Sequence, residues 1–143
     1  MINSFILNHC VTFDDAPHNW AGLYILDDAD EAVPCYNTLA WAGWMEGARE
    51  AGRLRIAHDL DEGDAARQIE VSTIFMGVDH NFAGSTPILF ETMAFRYNGN
   101  DREPIYDLTR RYSTRAEAME GHQRVCQILM QATRESAKEL PNQ

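Results

Sequence analysis

Apolar residues recur along this chain with two different periods, and the change of period marks its elements. Trp41, Trp44, Met45 and Ala48 fall at i, i+3, i+4 and i+7, one stripe that predicts an amphipathic helix over about 38–51. Asn37 or Thr38 supplies a side-chain oxygen to cap its first amides, and Gly52 a stop. Two tryptophans on one stripe read as core packing against a sheet, with an exposed recognition patch as the alternative. Further on, Thr114-Arg-Ala-Glu117 is a capping box. Ala118, His122, Val125, Cys126, Leu129, Thr133, Ala137 and Leu140 then mark one face of a second helix over 114–139, expected to lie across a sheet.

Between the helices the period drops to two. Arg53 to Leu60 reads as a strand with Leu54, Ile56 and His58 on one face. In the next strand, Arg67 to Val78, the residues Val71, Thr73 and Phe75 share one face, while Ile74, Met76 and Val78 share the other. Ile88 to Arg96 is likewise apolar on both sides apart from Glu91, Thr92 and Arg96. Strands apolar on both faces belong inside a sheet, so Val71 to Arg96 is read as a central antiparallel pair. Ahead of the first helix, Gly22 to Leu26 and Ala32 to Cys35 form two short strands around the acidic turn Asp27-Asp-Ala-Asp-Glu31, with Pro34 favouring a sheet edge. A further strand is expected from Pro104 to Leu108 or beyond, after Asn98-Gly-Asn-Asp101. The fold class is therefore α+β: an antiparallel sheet of four to six strands packed by two helices.

The 143 residues, 45% of them hydrophobic, suffice for a single domain with a packed core, carrying an acidic extension over 1–21. No apolar run approaches a bilayer span and no secretion signal is recognisable. Cys10, Cys35 and Cys126 are read as reduced, mostly buried thiols in a cytoplasm.

Charge adds an asymmetry. Residues 1–48 hold seven acids and no Lys or Arg, while the rest hold fifteen acids and twelve bases. An acidic surface repels phosphates, which argues against direct nucleic-acid binding; it attracts a basic protein partner, or it simply keeps a small protein soluble. Asp14, Asp15, Asp27, Asp28, Asp30 and Glu31 are the expected docking residues. The 27–31 run lacks the spacing of an EF-hand loop, and no two histidines are spaced as in a zincin, so no metal set and no cofactor is read here. The remaining polar concentration is Asp79-His80-Asn81 with Glu91 and Arg96, candidates for a catalytic or ligand pocket. Asp79 also fits a loop brace, and Glu91 a plain ion pair with Arg96 or Arg111.

Val71-Ser-Thr-Ile-Phe-Met-Gly-Val-Asp-His80, Pro87-Ile-Leu-Phe-Glu-Thr-Met-Ala-Phe95 and Arg111-Tyr-Ser-Thr, with Glu117-Ala and Gly121-His122, resemble blocks of a group of small bacteriophage and prophage proteins. Leu39-Ala-Trp-Ala-Gly-Trp is similar too. The resemblance spans about 22–125, carries no established activity or catalytic residue, and implies a phage accessory gene whose product is cytoplasmic in a bacterial host cell. The resulting expectation is a binding protein, rather than an enzyme, that inhibits or modulates a host protein with a basic surface, such as a CRISPR or other anti-phage defence complex. The alternative is a nucleotide-binding or nucleotide-hydrolysing protein with its pocket near Asp79, His80 and Glu91. The long helix also offers a homodimer face, unless its own sheet uses all of it.

Overall fold

The computed structural model describes residues 22–61 and 68–139, so Asp14, Asp15 and the rest of the extension lie outside the described residues. The two predicted strands at the front form a hairpin, β1 (Tyr24–Leu26) and β2 (Ala32–Pro34). Helix α1 (Thr38–Glu50) follows, capped by the Asn37 side chain, which accepts from the Ala40 amide. Its stripe faces inward. Trp44 meets Phe75 edge-on at 5.9 Å, and Phe75 packs on Phe90 at 5.3 Å. Trp41 donates its indole N–H to the carbonyls of Tyr24 and Gly77, tying α1 to the hairpin and to the sheet. Together with Ile25, Leu26, Ala48, Leu89 and Ala118, these aromatics make the main core, the outcome expected of the tryptophan stripe.

A second, five-stranded antiparallel sheet is built from β3 (Arg55–Asp61), β4 (Ile69–Phe75), β5 (Phe90–Asn98), β6 (Asp101–Pro104) and β7 (Arg110–Tyr112). β4 lies between β3 and β5, and β5 has β6 and β7 end to end along its other edge, so the pair expected to be central is central. The strand expected over Pro104 to Leu108 is not there. The Asn98–Asp101 turn, with Gly99 at φ 64°, returns the chain at once, so β6 starts at Asp101. The ladder runs past Pro104 to Ile105, whose amide donates to the Ala94 carbonyl, after which the chain makes a 3₁₀ turn over Tyr106–Leu108 and pairing resumes with β7.

Helix α2 (Arg115–Glu139) crosses one face of this sheet. Thr114 accepts from the Glu117 amide, and the Glu117 carboxylate reaches back to the Ser113 amide, one residue earlier than an ideal capping box. Val125 packs on Val71 and Ala94, with Leu129 alongside. Gly121 of α2 lies against the Tyr112 side chain, where a Cβ would collide with the ring and its hydroxyl. Cys35 is fully buried and disulfide-bonded, which corrects the reading of all three cysteines as free thiols. Among the described residues only Cys126 is a free cysteine, and no helix is long and apolar enough to cross a membrane.

Candidate functional site

The site begins with an irregularity in β3. Arg55 pairs with Ile74 and Ala57 with Thr73, so Ile56 is an extra residue, a β-bulge. Ile56 still packs into the main core. Beyond the bulge the alternation is reset: Ala57, Asp59 and Asp61 share the face of Thr73, Val71 and Ile69, and His58 falls on the opposite face. This corrects the expectation that Ile56 and His58 share a face, and it turns Asp59 towards α2.

There Asp59 meets His122. The carboxylate Oδ2 lies 2.7 Å from Nε2 of the ring, and Nδ1 lies 2.7 Å from Oγ1 of Thr73, which lies 2.6 Å from Oγ1 of Thr92. Thr73 and Thr92 are fully buried and face each other across the β4–β5 ladder. A hydroxyl both donates and accepts, so Thr73 satisfies either tautomer of the imidazole. Burying three polar side chains in an apolar layer is costly unless each is paired. Here the row runs outward until it ends on Asp59, whose side chain is 69% exposed against 4% for His122.

Cys126, one helical turn beyond His122, approaches the same carboxylate oxygen at 3.7 Å. Burial pushes its thiol up, with help from the Asp59 charge and hydrogen bond, to about 11. Asp59 and Cys126 stand at one end of a groove of about 500 Å³ between the β3–β4 edge and the second half of α2. Ile69, Val71, Leu129 and Met130 form its apolar walls, and Asp61, Thr133 and Arg134 its further polar positions. The volume lies within the range of small-molecule sites. The ligand atoms of Asp59, His122 and Cys126 all lie within 4.8 Å of one another, a set with the donors of a metal site.

The opposite face of the sheet carries a different cluster. Glu70, almost fully buried, accepts from Tyr97 at 2.7 Å, from Arg102 through two nitrogens at 3.0 and 3.1 Å, and contacts His58 at 3.1 Å. Burial pushes its carboxyl up, but the Tyr97 and Arg102 hydrogen bonds, the Arg102 charge and the His58 contact outweigh it and hold the pKa below the ordinary value. The Arg102 guanidinium carbon lies over the Phe95 ring, 3.4 Å from its centroid. With every donor aimed at one carboxylate, this cluster pins β3, β4, β5 and β6 together.

The residues singled out in the sequence are dispersed. Asp79 accepts from the Asn81 and Ile88 amides and so closes the β4–β5 loop, in which His80 meets Phe82 edge-on. Glu91 lies on the Glu70 face of the sheet and pairs with Arg111 at 2.8 Å, whereas Arg96 is on the α2 face. In the hairpin, Asp27 accepts from the Ala29 and Glu31 amides, and Asp30 pairs with Arg53 at 2.8 Å. Asp28 and Glu31 are exposed at its tip. None of these joins the Asp59–His122 site. His122 and Cys126, four residues apart on one helix face, were the visible half of it. Asp59 was hidden by the bulge.

The chain matches no protein-family model, no curated protein and no solved structure. The roles of these residues are accordingly read from their geometry.

Proposed function

We propose that this protein binds a small amphipathic molecule in the groove between the β3–β4 edge and α2, with Asp59 as its polar anchor. The observation that carries this reading is the buried Thr92–Thr73–His122 row terminating on an exposed carboxylate at the end of an apolar groove. An oriented carboxylate beside Ile69, Val71, Leu129 and Met130 suits a ligand with an apolar body and a cationic nitrogen. His122 does not act on the ligand directly, because both its nitrogens are engaged. It acts as a positioning residue for Asp59.

The test is thermal denaturation with a panel of aliphatic and aromatic amines in the presence of chelator. A ligand at 100 times its Kd stabilises the folded state by about 2.7 kcal/mol. The shift is expected to vanish in Asp59→Asn and in Thr133→Trp, whose indole fills the groove from an exposed helix position. Binding that survives both substitutions refutes the reading.

A second reading keeps the acidic hairpin as the docking point for a basic protein. Its support is the exposure of Asp28 and Glu31 on a tip whose shape is held by Asp27 and the Asp30–Arg53 pair. It requires capture of a partner that weakens with salt and with Asp28→Asn and Glu31→Gln. Capture indifferent to both removes it.

A further inference from the structure

The geometry points to a zinc-class site formed by Asp59, His122 and Cys126, open on its fourth side to the groove. This site goes beyond the groove reading and stands apart from it, because zinc and a cationic nitrogen compete for the same Asp59 carboxylate.

Three features carry it. The donors are a carboxylate oxygen, an imidazole nitrogen and a sulfur, the mixture that zinc accepts and that magnesium and calcium do not favour. Tetrahedral zinc holds its ligands at about 2.0–2.3 Å, which sets donor separations of about 3.3–3.5 Å. The Cys126 Sγ to Asp59 Oδ2 distance is already 3.7 Å, and the His122 Nε2 to Asp59 Oδ2 distance of 2.7 Å widens by rotation of the exposed Asp59 side chain. Finally, metal-binding imidazoles are held through their other nitrogen, and His122 already has Thr73 on Nδ1, backed by Thr92.

The proton balance closes without any further reactant. With zinc on Nε2, the ring proton sits on Nδ1 and is donated to Thr73 Oγ1, and the Thr73 hydroxyl turns to donate to Thr92. Cys126 gives its S–H proton to solvent, so one proton is released per metal bound. The dication, one thiolate and one carboxylate then sum to zero charge, which suits a half-buried position. Three protein ligands leave the fourth position to water or to a donor atom of a groove ligand.

The experiment uses the full chain, freed of metal by chelator and titrated with Co²⁺ and then Zn²⁺. The expected result is one Co²⁺ per chain with a thiolate-to-cobalt charge-transfer band and the visible bands of tetrahedral cobalt, all displaced by Zn²⁺. Calorimetry in buffers of different ionisation heat should show one proton released. Cys126→Ser should abolish the charge-transfer band, and Asp59→Asn should weaken Zn²⁺ at least about tenfold, each with unchanged far-ultraviolet circular dichroism. The inference is overturned by a cobalt complex without a thiolate band, by a band that persists in Cys126→Ser, or by Zn²⁺ affinity unaltered in Asp59→Asn. Amines that fail to bind in chelator refute the groove reading alone, and Co²⁺ and Zn²⁺ that fail to bind refute the metal site alone.

Discussion

Thr73 is the place to break the buried row. Its hydroxyl is the only link in it between Thr92 and the imidazole, and Thr73, Thr92 and His122 are all buried. Thr73→Val keeps the side-chain volume and leaves Nδ1 of His122 and Oγ1 of Thr92 facing a methyl group. A buried polar group deprived of its partner costs about 1–3 kcal/mol. Two such groups, less the saving from no longer burying the Thr73 hydroxyl, give an expected loss of about 2–4 kcal/mol. Thr92→Val alone removes one partner and is expected to cost about 1–2 kcal/mol, because Thr73 keeps its contact with His122. In the double variant only Nδ1 is left unpaired, so the loss should fall short of the sum of the singles by at least about 1 kcal/mol. Urea denaturation of the four proteins, read at constant m-value, measures this cycle. Strict additivity, or a Thr73→Val variant within about 0.5 kcal/mol of the parent, would show that the hydroxyls are not coupled and that nothing buried orients Asp59.

Three further outcomes follow from the same structure. Glu70→Gln should cost about 1.5–3 kcal/mol at neutral pH, the worth of hydrogen bonds to a charged group. Because the folded pKa of Glu70 is depressed, its contribution is complete above the unfolded value and is lost as pH falls through the folded one, so the gap from the parent must narrow in acid. A constant gap down to the acid transition refutes the assignment. Gly121→Ala should destabilise even though alanine favours helix by about 1 kcal/mol, because the added methyl meets the Tyr112 ring and overpacking costs about 1–3 kcal/mol. A more stable variant in thermal denaturation sinks this packing account. With its pKa at about 11, Cys126 should alkylate slowly at pH 8, about one thiol in a thousand being ionised, and the rate should climb about tenfold per pH unit. Rapid modification of this thiol at pH 7 contradicts it.

The elements themselves were legible in the chain because they rest on local chemistry. The helical stripe from Trp41 to Ala48, the Asn37 cap, the Thr114 cap and the two doubly apolar strands each follow from periodicity and hydrogen-bonding capacity within a few residues. The same holds for the hairpin turn, where Asp27 bonds amides two and four positions on. Local reading failed at Pro104 to Leu108, where the strand is divided by the place its neighbour leaves for it on the edge of β5.

The site belongs to tertiary structure. Alternation along β3 paired His58 with Ile56, and only the mismatch with β4 reverses the face of every residue after Ile56 and carries Asp59 under α2. Asp79 and Glu91, prominent in sequence as polar groups among apolar ones, are engaged by the loop and by Arg111, while the unremarkable Thr73, Thr92 and His122 become a continuous row. Composition and spacing determined that this chain folds as two helices on an antiparallel sheet. Which carboxylate, imidazole and thiol stand within reach of one another was decided by strand register and helix placement, because Asp59 is 63 residues from His122 in sequence and no local signal spans that interval.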